Sequence, residues 1–230
     1  MSLHDLTALE QAAAIKSGDT TSVELAEHYL RRSESVPGAY VKLTPELALE
    51  QARAADEAVA QGRAEGELFG VVCPVKDLFF MAGANARMGS AAFDFPSYAD
   101  DNVVQAMRAA GLVFTGKTNT PEFGLPCYTE PDPEVAPPAR CVWDERRTAG
   151  GSSGGAAVAV AAGLAPIAHG SDGGGSVRIP ASANGLVGIK PSRGRISNGP
   201  LRDPVGDLVN SGPLARTVAD AAALLDVMSG

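Results

Sequence analysis

Two glycine-serine segments carry the residues best suited to chemistry in this chain. Ser152 lies in GGSSGG (150–155), and Ser176 ends the run SDGGGS (171–176). Glycine lets the backbone reach positive φ and lets a ligand come close. The amides of the second segment can therefore point to one place beside the Ser176 hydroxyl. Acyl transfer needs this combination of a nucleophile and hydrogen-bond donors for an oxyanion. Two flexible turns are the alternative, but flexible linkers lack the apolar residues that flank both segments.

A serine nucleophile needs a base, and histidine is the first alternative. The segment GGSSGG fits G-x-S-x-G around both Ser152 and Ser153, but a buried strand should lead into such an elbow. Here the preceding residues 144–148 are polar, and His169 is the only histidine that follows. A Ser-His-Asp site is therefore the less favoured alternative. We expect His169 to be a packed or partly exposed residue at a strand end.

Lysine is the other candidate base. Lys76 follows an apolar stretch in CPVKDLF (73–79), and burial between apolar neighbours lowers the pKa of a lysine. A pKa of about 7–8 would require the fold to supply about 3–5 kcal/mol. On spacing alone, a surface lysine paired with a nearby acid is the commoner arrangement, so both interpretations stay open.

The elements that must position these residues alternate between helices and short buried strands. This alternation predicts an α/β fold with a mixed β-sheet core flanked by helices. One domain over 1–230 is expected, with a helical layer at 1–62 and the core at 63–230. A proline-rich surface loop is expected at 125–139. Capping residues, glycine stops and hydrophobic spacing predict helices at 5–17, 22–33, 45–61, 101–110, 156–162 and 218–228, and strands at 71–73, 112–114 and 164–168. Ser22 is the predicted cap of the second helix.

Composition restricts the class of protein. The net charge is −8 and the isoelectric point is near 4.9, which argues against a nucleic-acid surface. We see no basic-then-apolar leader and no run of 18 apolar residues, so neither a signal peptide nor a membrane span is expected. The three cysteines have no CxxC spacing, which argues against a zinc site and favours a reducing, cytoplasmic setting.

Six segments together resemble the amidase signature family of serine hydrolases, and the resemblance runs from about residue 3 to the end. The first glycine-serine loop alone would not be specific, but the combination is. The segments are GGSSGG with its alanine-rich sequel (150–162), SDGGGSVRIPA (171–181), GLVGIKP (185–191), CPVKD (73–77), TGKTNTPEF (115–123) and GPLARTVAD (212–220).

The resemblance implies a Ser-cisSer-Lys triad. By motif position, Ser176 is the nucleophile, Ser152 the middle serine next to a cis peptide bond, and Lys76 the base that draws a proton through Ser152. Family members hydrolyse carboxylic amides to an acid and ammonia or an amine, without a metal or organic cofactor. By the same resemblance, Gly173, Gly174, Gly175 and Ser176 match the oxyanion-hole segment, and Asp172 and Arg178 match residues that support that loop. We interpret Asp172 and Arg178 as a structural ion pair, and we expect Ser153 to form a local hydrogen bond.

The family's members are about twice as long as these 230 residues, so the implied fold is incomplete and lacks the C-terminal half. We therefore expect a second polypeptide, or a copy of the same chain, to complete the pocket for a small-molecule amide. Two other functions stay open. An aminoacyl-tRNA amidotransferase subunit is less favoured, because Ile179 stands where those relatives often have glutamine, and a non-catalytic remnant or binding protein would need no turnover.

Overall fold

The computed structural model describes residues 2–200 and 206–230. Within these residues the helices follow the expected positions closely, and several begin at capping residues. Thr7, Thr21 and Thr217 each accept a hydrogen bond from an amide three residues on, which satisfies a donor that the first turn leaves free. The helices are α1 (Ala8–Ser17), α2 (Ser22–Ser33), α3 (Pro45–Ala60), α4 (Asn102–Ala109), α5 (Gly154–Ala161), α6 (Arg178–Asn184) and α7 (Val218–Ser229).

Short strands lie in three separate small sheets in the described ranges, so the mixed core is divided. The strands are β1 (Tyr40–Leu43), β2 (Val75–Lys76), β3 (Gly116–Thr118), β4 (Arg140–Cys141), β5 (Asp144–Thr148), β6 (Ile167–Asp172), β7 (Val187–Gly188) and β8 (Asn210–Ala215). One sheet is mixed, with order β1-β3-β2; the second is the antiparallel hairpin β4-β5; the third is antiparallel, with order β6-β8-β7.

The α/β class with helices around a β core is confirmed, while three predicted strands are displaced. The segments 71–73 and 112–114 meet in a single parallel bridge between Val72 and Val113, and the ladders form a few residues later in β2 and β3. The strand predicted at 164–168 instead begins at Ile167 and continues through Asp172. The first residues of the second glycine-serine segment are therefore fixed in a ladder.

Two helices begin two or three residues away from the predicted start, and a third has a different capping residue. Helix α1 begins at Ala8 instead of residue 5, because Thr7 caps it. Helix α2 is capped by Thr21 and not by the neighbouring Ser22. Helix α5 begins at Gly154 and includes the end of the first segment. Residues 125–139 contain no helix or strand, as expected.

Helix α5 runs through the middle of the molecule and is buried along nearly its whole length. Small residues make this possible. A Cβ on Gly155 would lie 2.3 Å from the amide nitrogen of Asn119 and 2.5 Å from the carbonyl oxygen of Ala39. The helix can therefore lie directly against the backbone of the β1-β3 sheet and hold Ser152, just before its N-terminus, at a fixed place. No helix of the described chain is both long and apolar enough to cross a bilayer.

Candidate active site

Lys76 ends the short strand β2 and is fully buried. Its Nζ lies 2.8 Å from Ser152 Oγ and 3.1 Å from Ser171 Oγ, and it approaches the carbonyl oxygen of Ser171 at 3.5 Å. Burial lowers the pKa of Lys76 to about 7, although the charge of Asp172 acts in the opposite direction. The neutral amine is therefore well populated near neutral pH, which a proton acceptor requires.

Ser152 is buried in the loop between β5 and α5, and the peptide bond from Gly151 to Ser152 is cis. Gly151 lies directly against the backbone of Tyr128, where a Cβ would come within 2.7 Å. The proline-rich loop thus forms one wall behind the serine. This contact explains why glycine precedes Ser152.

Ser153 joins the two glycine-serine segments. Its Oγ donates to the carbonyl oxygen of Ser171 and accepts from the amide of Ser171, both at 3.2 Å, and its own amide donates to the carbonyl oxygen of Ser176 at 3.1 Å. The hydrogen bonds are thus not local in sequence. They connect the loop that carries Ser152 to the strand and loop that lead to Ser176.

Asp172 organises the loop that ends in Ser176. Its buried carboxylate receives two hydrogen bonds from the Arg178 guanidinium, both at 2.9 Å, and further bonds from the amides of Gly175 at 2.7 Å and Val177 at 3.1 Å. Burial by itself raises the pKa of Asp172, but these hydrogen bonds outweigh burial and lower it to about 2. The carboxylate therefore stays ionised and fixes the turn.

The backbone donors of this loop are divided between two tasks. The Gly175 amide already donates to Asp172, so it is the exception within the oxyanion-hole segment predicted from the sequence. Within the described chain, no residue accepts a hydrogen bond from the amides of Gly173, Gly174 or Ser176. These three amides remain free to bind an anionic oxygen.

A cleft of about 230 Å³ opens over the serines. Ser152, Ser171 and Ser176 contribute polar atoms to it, and the rest of the lining is largely apolar. The Ser176 side chain forms no hydrogen bond with any described residue. The contact between Lys76 and Ser152 is thus formed, whereas no hydrogen bond connects Ser152 to Ser176. The non-serine lining consists of Leu78, Phe123, Gly124, Leu125, Pro126, Cys127, Gly173, Gly174, Ile179 and Val209.

His169 lies in the interior of β6 and is fully buried. It is packed, as expected, but the predicted position at a strand end is wrong, because β6 extends beyond it. The amide of Lys76 donates to its Nδ1 at 3.3 Å, so its Nε2 carries the proton and faces Ser211 Oγ at 3.1 Å. Burial and the nearby lysines Lys76 and Lys117 lower the pKa of His169 to about 3. The ring is therefore a neutral structural element.

Two features of the site were not predicted from the sequence. Ser171 provides Lys76 with a second hydroxyl partner. The sequence feature that could have indicated this role is the position of Ser171 at the end of a buried strand. Lys117 forms a fully buried ion pair with Asp77, with 2.8 Å between Nζ and Oδ1. Both residues lie in segments that resemble family motifs, but nothing in their spacing shows that they meet.

A serine pair beside a buried lysine, on an α/β scaffold with free loop amides, brings together the kinds of group that acyl transfer requires: a hydroxyl, a base and donors for an oxyanion. A family model for the amidase family matches residues 24–230. The chain therefore belongs to the amidase family.

Relatives and solved structures extend this result. The chain is 42% identical to a glutamyl-tRNA(Gln) amidotransferase subunit of Thioalkalivibrio sulfidiphilus, covering 99% of this chain and 47% of that protein. The solved 6-aminohexanoate cyclic dimer hydrolase matches with a TM-score of 0.90 and 39% identity, over 100% of this chain and 47% of that one. The peptide amidase of Stenotrophomonas maltophilia matches with a TM-score of 0.89 and 32% identity, over 97% and 48%. The chain thus spans about half the length of these relatives.

Proposed function

We propose that this chain carries the catalytic centre of an amidase, which cleaves a carboxylic amide to an acid and ammonia or an amine. The observation that carries the proposal is the 2.8 Å contact between buried Lys76 and Ser152, with the pKa of Lys76 lowered to about 7. Ser176 is the nucleophile in this proposal, because it stands beside the free amides of Gly173 and Gly174.

In the first half-reaction, Ser176 Oγ attacks the carbonyl carbon of the amide. Its proton passes to Ser152 Oγ while the proton of Ser152 passes to the neutral Nζ of Lys76. The free loop amides, including that of Ser176, stabilise the oxyanion. Collapse of the tetrahedral intermediate breaks the C–N bond, and the proton returns from Lys76 through Ser152 to the leaving amine. Ser176 is left as an acyl ester.

In the second half-reaction, water takes the place of the amine. Its proton follows the same path to Lys76, and its oxygen attacks the ester carbon to release the acid and restore Ser176. The step between Ser152 and Ser176 needs these hydroxyls to come into hydrogen-bond contact, and such contacts often tighten only with substrate bound. The proposed chemistry uses no metal and no organic cofactor.

Labelling tests the assignment of the nucleophile. A fluorophosphonate probe should modify one serine, and peptide mapping should place the label on Ser176. A label on Ser152 or Ser153 would contradict the assignment.

Loss of the general base typically costs about 10²–10⁴ in rate, so Lys76→Ala should lose amide turnover by that factor. The matched control is Lys42→Ala, which removes an exposed lysine from β1 and should leave turnover unchanged.

A second candidate is an amidotransferase component, and the similarity to the glutamyl-tRNA(Gln) amidotransferase of Thioalkalivibrio sulfidiphilus supports it. Such a role would use the same serine chemistry to release ammonia for another centre. Glutamine hydrolysis that depends on ATP and a charged tRNA would favour this candidate over a free-standing amidase. Turnover of simple amides without either reagent would favour the amidase. If neither reaction occurs even in the protein completed by its further segment, the chain is a binding protein or remnant.

The active protein should include a further polypeptide segment over the cleft. Apolar side chains are exposed at its mouth: Leu125 by 83%, Phe123 by 48% and Ile179 by 38%. Exposed apolar side chains around a groove are typical of surfaces that bind a ligand or another polypeptide segment. Native mass spectrometry of the active protein should show either additional chain or a second copy. Full turnover by a 23.5 kDa monomer would refute this part of the proposal.

Three free cysteines support a cytoplasmic setting.

A further inference from the structure

The ion pair between Asp77 and Lys117 adjoins the candidate site, because Asp77 follows Lys76 in the chain, yet it contacts neither serine of the proposed relay. Both side chains are fully buried. Lys117 Nζ also donates to the carbonyl oxygen of Phe79 at 2.8 Å. A buried ion pair is weak evidence for stability by itself, because desolvation offsets the attraction. Its other contacts therefore indicate what it does.

The second oxygen of Asp77 holds a turn. Its Oδ2 accepts hydrogen bonds from the amides of Arg87 at 3.1 Å and Met88 at 3.0 Å. Met88 has a φ of +49°, a conformation that residues with side chains rarely adopt. The carboxylate thus fixes the turn at 87–88 in a conformation that its own residues do not favour.

The turn at 87–88 supports the wall of the cleft. The carbonyl oxygen of Met88 accepts from the amide of Phe123 at 2.8 Å. The next residue, Gly89, lies against the same wall, since a Cβ there would come within 2.5 Å of the carbonyl carbon of Pro121. The segment 121–124 therefore rests on the turn through a hydrogen bond and through close backbone contact.

The far end of the wall reaches the relay serine. A Cβ on Gly124 would lie 3.2 Å from Ser152 Oγ and 2.5 Å from Leu78 Cδ1, and Phe123 and Gly124 both line the cleft. A shift of this segment would change the space beside Ser152 that a substrate must enter. Hydrogen bonds to backbone groups and close backbone contacts therefore link Asp77 to this end of the wall.

We infer that Asp77 and Lys117 are positioning residues that hold the Phe123–Gly124 wall of the substrate cleft in register with Ser152. This inference rests on the proposed amidase function. It assigns the pair to substrate binding and not to proton transfer, because neither residue contacts Lys76 Nζ, Ser152 Oγ or the free loop amides.

The test replaces the pair by apolar residues of similar volume, Asp77→Leu with Lys117→Met. Such double replacement of a buried ion pair is often tolerated by the fold, whereas either single variant leaves a buried charge unpaired. The matched control is Asp100→Leu with Arg108→Met. Asp100 likewise binds a cation, at 2.6 Å, and the backbone amide of Ala82 at 2.7 Å, but Asp100 and Arg108 do not line the cleft.

Amide turnover in the intact protein is the first measurement. A displacement of the wall by about 1 Å can cost up to about 10²-fold, so we expect the pair replacement to raise KM by about tenfold or more. We expect kcat to change less and the pH midpoint of kcat to stay constant, because Lys76 and its partners are unaltered. The control should leave KM unchanged. An unchanged KM in a folded Asp77→Leu/Lys117→Met protein, or a shifted pH midpoint, would overturn the inference.

Hydrogen–deuterium exchange gives a measurement that needs no activity. Peptides covering 84–90 and 120–126 should both exchange faster in the pair replacement and not in the control. Faster exchange at 84–90 alone would show that the turn does not hold the wall, and would overturn the inference. If the wild-type protein has no amidase activity, the proposed function fails, and the exchange rates still decide whether the pair positions the wall. If the double variant does not fold, Gly89→Ala displaces the same wall at its contact with Pro121, and the same KM and exchange results apply.

Discussion

Replacing Lys76 by methionine should change how the stability of the protein depends on pH. We expect the unfolding free energy of Lys76→Met, minus that of wild type, to decrease as the pH rises from neutral to high values. The pKa of Lys76 falls from its ordinary value of 10.5 to about 7 on folding, chiefly through burial. Between these two values the unfolded chain binds a proton that the folded protein does not. Wild-type stability therefore rises with pH across this window, and the methionine variant lacks that contribution.

The magnitude follows from the shift. Each pH unit inside the window is worth up to about 1.4 kcal/mol, so the stability difference between the variant and wild type should fall by about 3–4 kcal/mol from pH 7 to pH 10. Loss of the hydrogen bonds to Ser152 and Ser171 adds an offset, but this offset does not depend on pH in the same way. The slope therefore isolates the titration of Lys76.

Urea unfolding at several pH values measures this slope. Groups common to both proteins titrate in both and cancel in the difference. The control is Lys42→Met, which removes an exposed lysine from β1 and tests whether the loss of any lysine produces the same slope. A difference between Lys76→Met and wild type that stays constant from pH 7 to pH 10 would refute the reasoning, because it would mean that folding does not lower the pKa of Lys76.

Three further outcomes test the neighbouring structure. Asp172→Asn should lower kcat by about tenfold or more, since the loop amides lose their anchor. In wild type, the stability that this carboxylate contributes should be lost as the pH falls from about 4 to about 2, and acid unfolding measures this loss. Gly155→Ala should destabilise by about 1–3 kcal/mol through overpacking, whereas Gly174→Ala, which meets open space, should leave the unfolding midpoint nearly unchanged. His169→Gln should keep both turnover and a pH–rate profile set by Lys76, whereas loss of turnover in a folded His169→Gln protein would support the histidine mechanism.

Local signals in the sequence predicted the helices well. Threonine with a following proline marks the start of α3, and Thr217 caps α7 through the amide of Asp220. These signals act within one turn of chain, so neighbouring residues suffice to read them. The error at Ser22 has the same origin, since two adjacent hydroxyl residues can each cap and only the structure shows that Thr21 does.

Strand pairing was predicted less well because it depends on residues far apart in the chain. Strand β8 has the sequence NSGPLA and pairs with β6 along its whole length, yet glycine and proline are depleted in strands. Its burial between β6 and β7 outweighs this weak propensity. Strands of two or three residues, such as β2, leave almost no alternation to detect.

The candidate site was predicted in its residue types but not in its connections. Motif resemblance indicated Lys76, Ser152 and Ser176, and apolar neighbours suggested the burial of Lys76. The bond between Gly175 and Asp172, the contact of Ser171 with Lys76, and the support of the wall by Asp77 all depend on distances through space. Side-chain type and spacing carry no information about such distances.

The antiparallel pairing of β6 with β8 also determines when the site can exist during synthesis. The ribosome completes Lys76, Ser152 and Ser176 well before residues 210–215, which form β8. Until then β6, with Ser171 and Asp172 at its end, lacks its long partner strand. Pairing of β6 with β8, which lie far apart in the chain, must also overcome loop-closure entropy. A nascent chain arrested before β8 would therefore hold all three candidate catalytic side chains without the frame that brings them together.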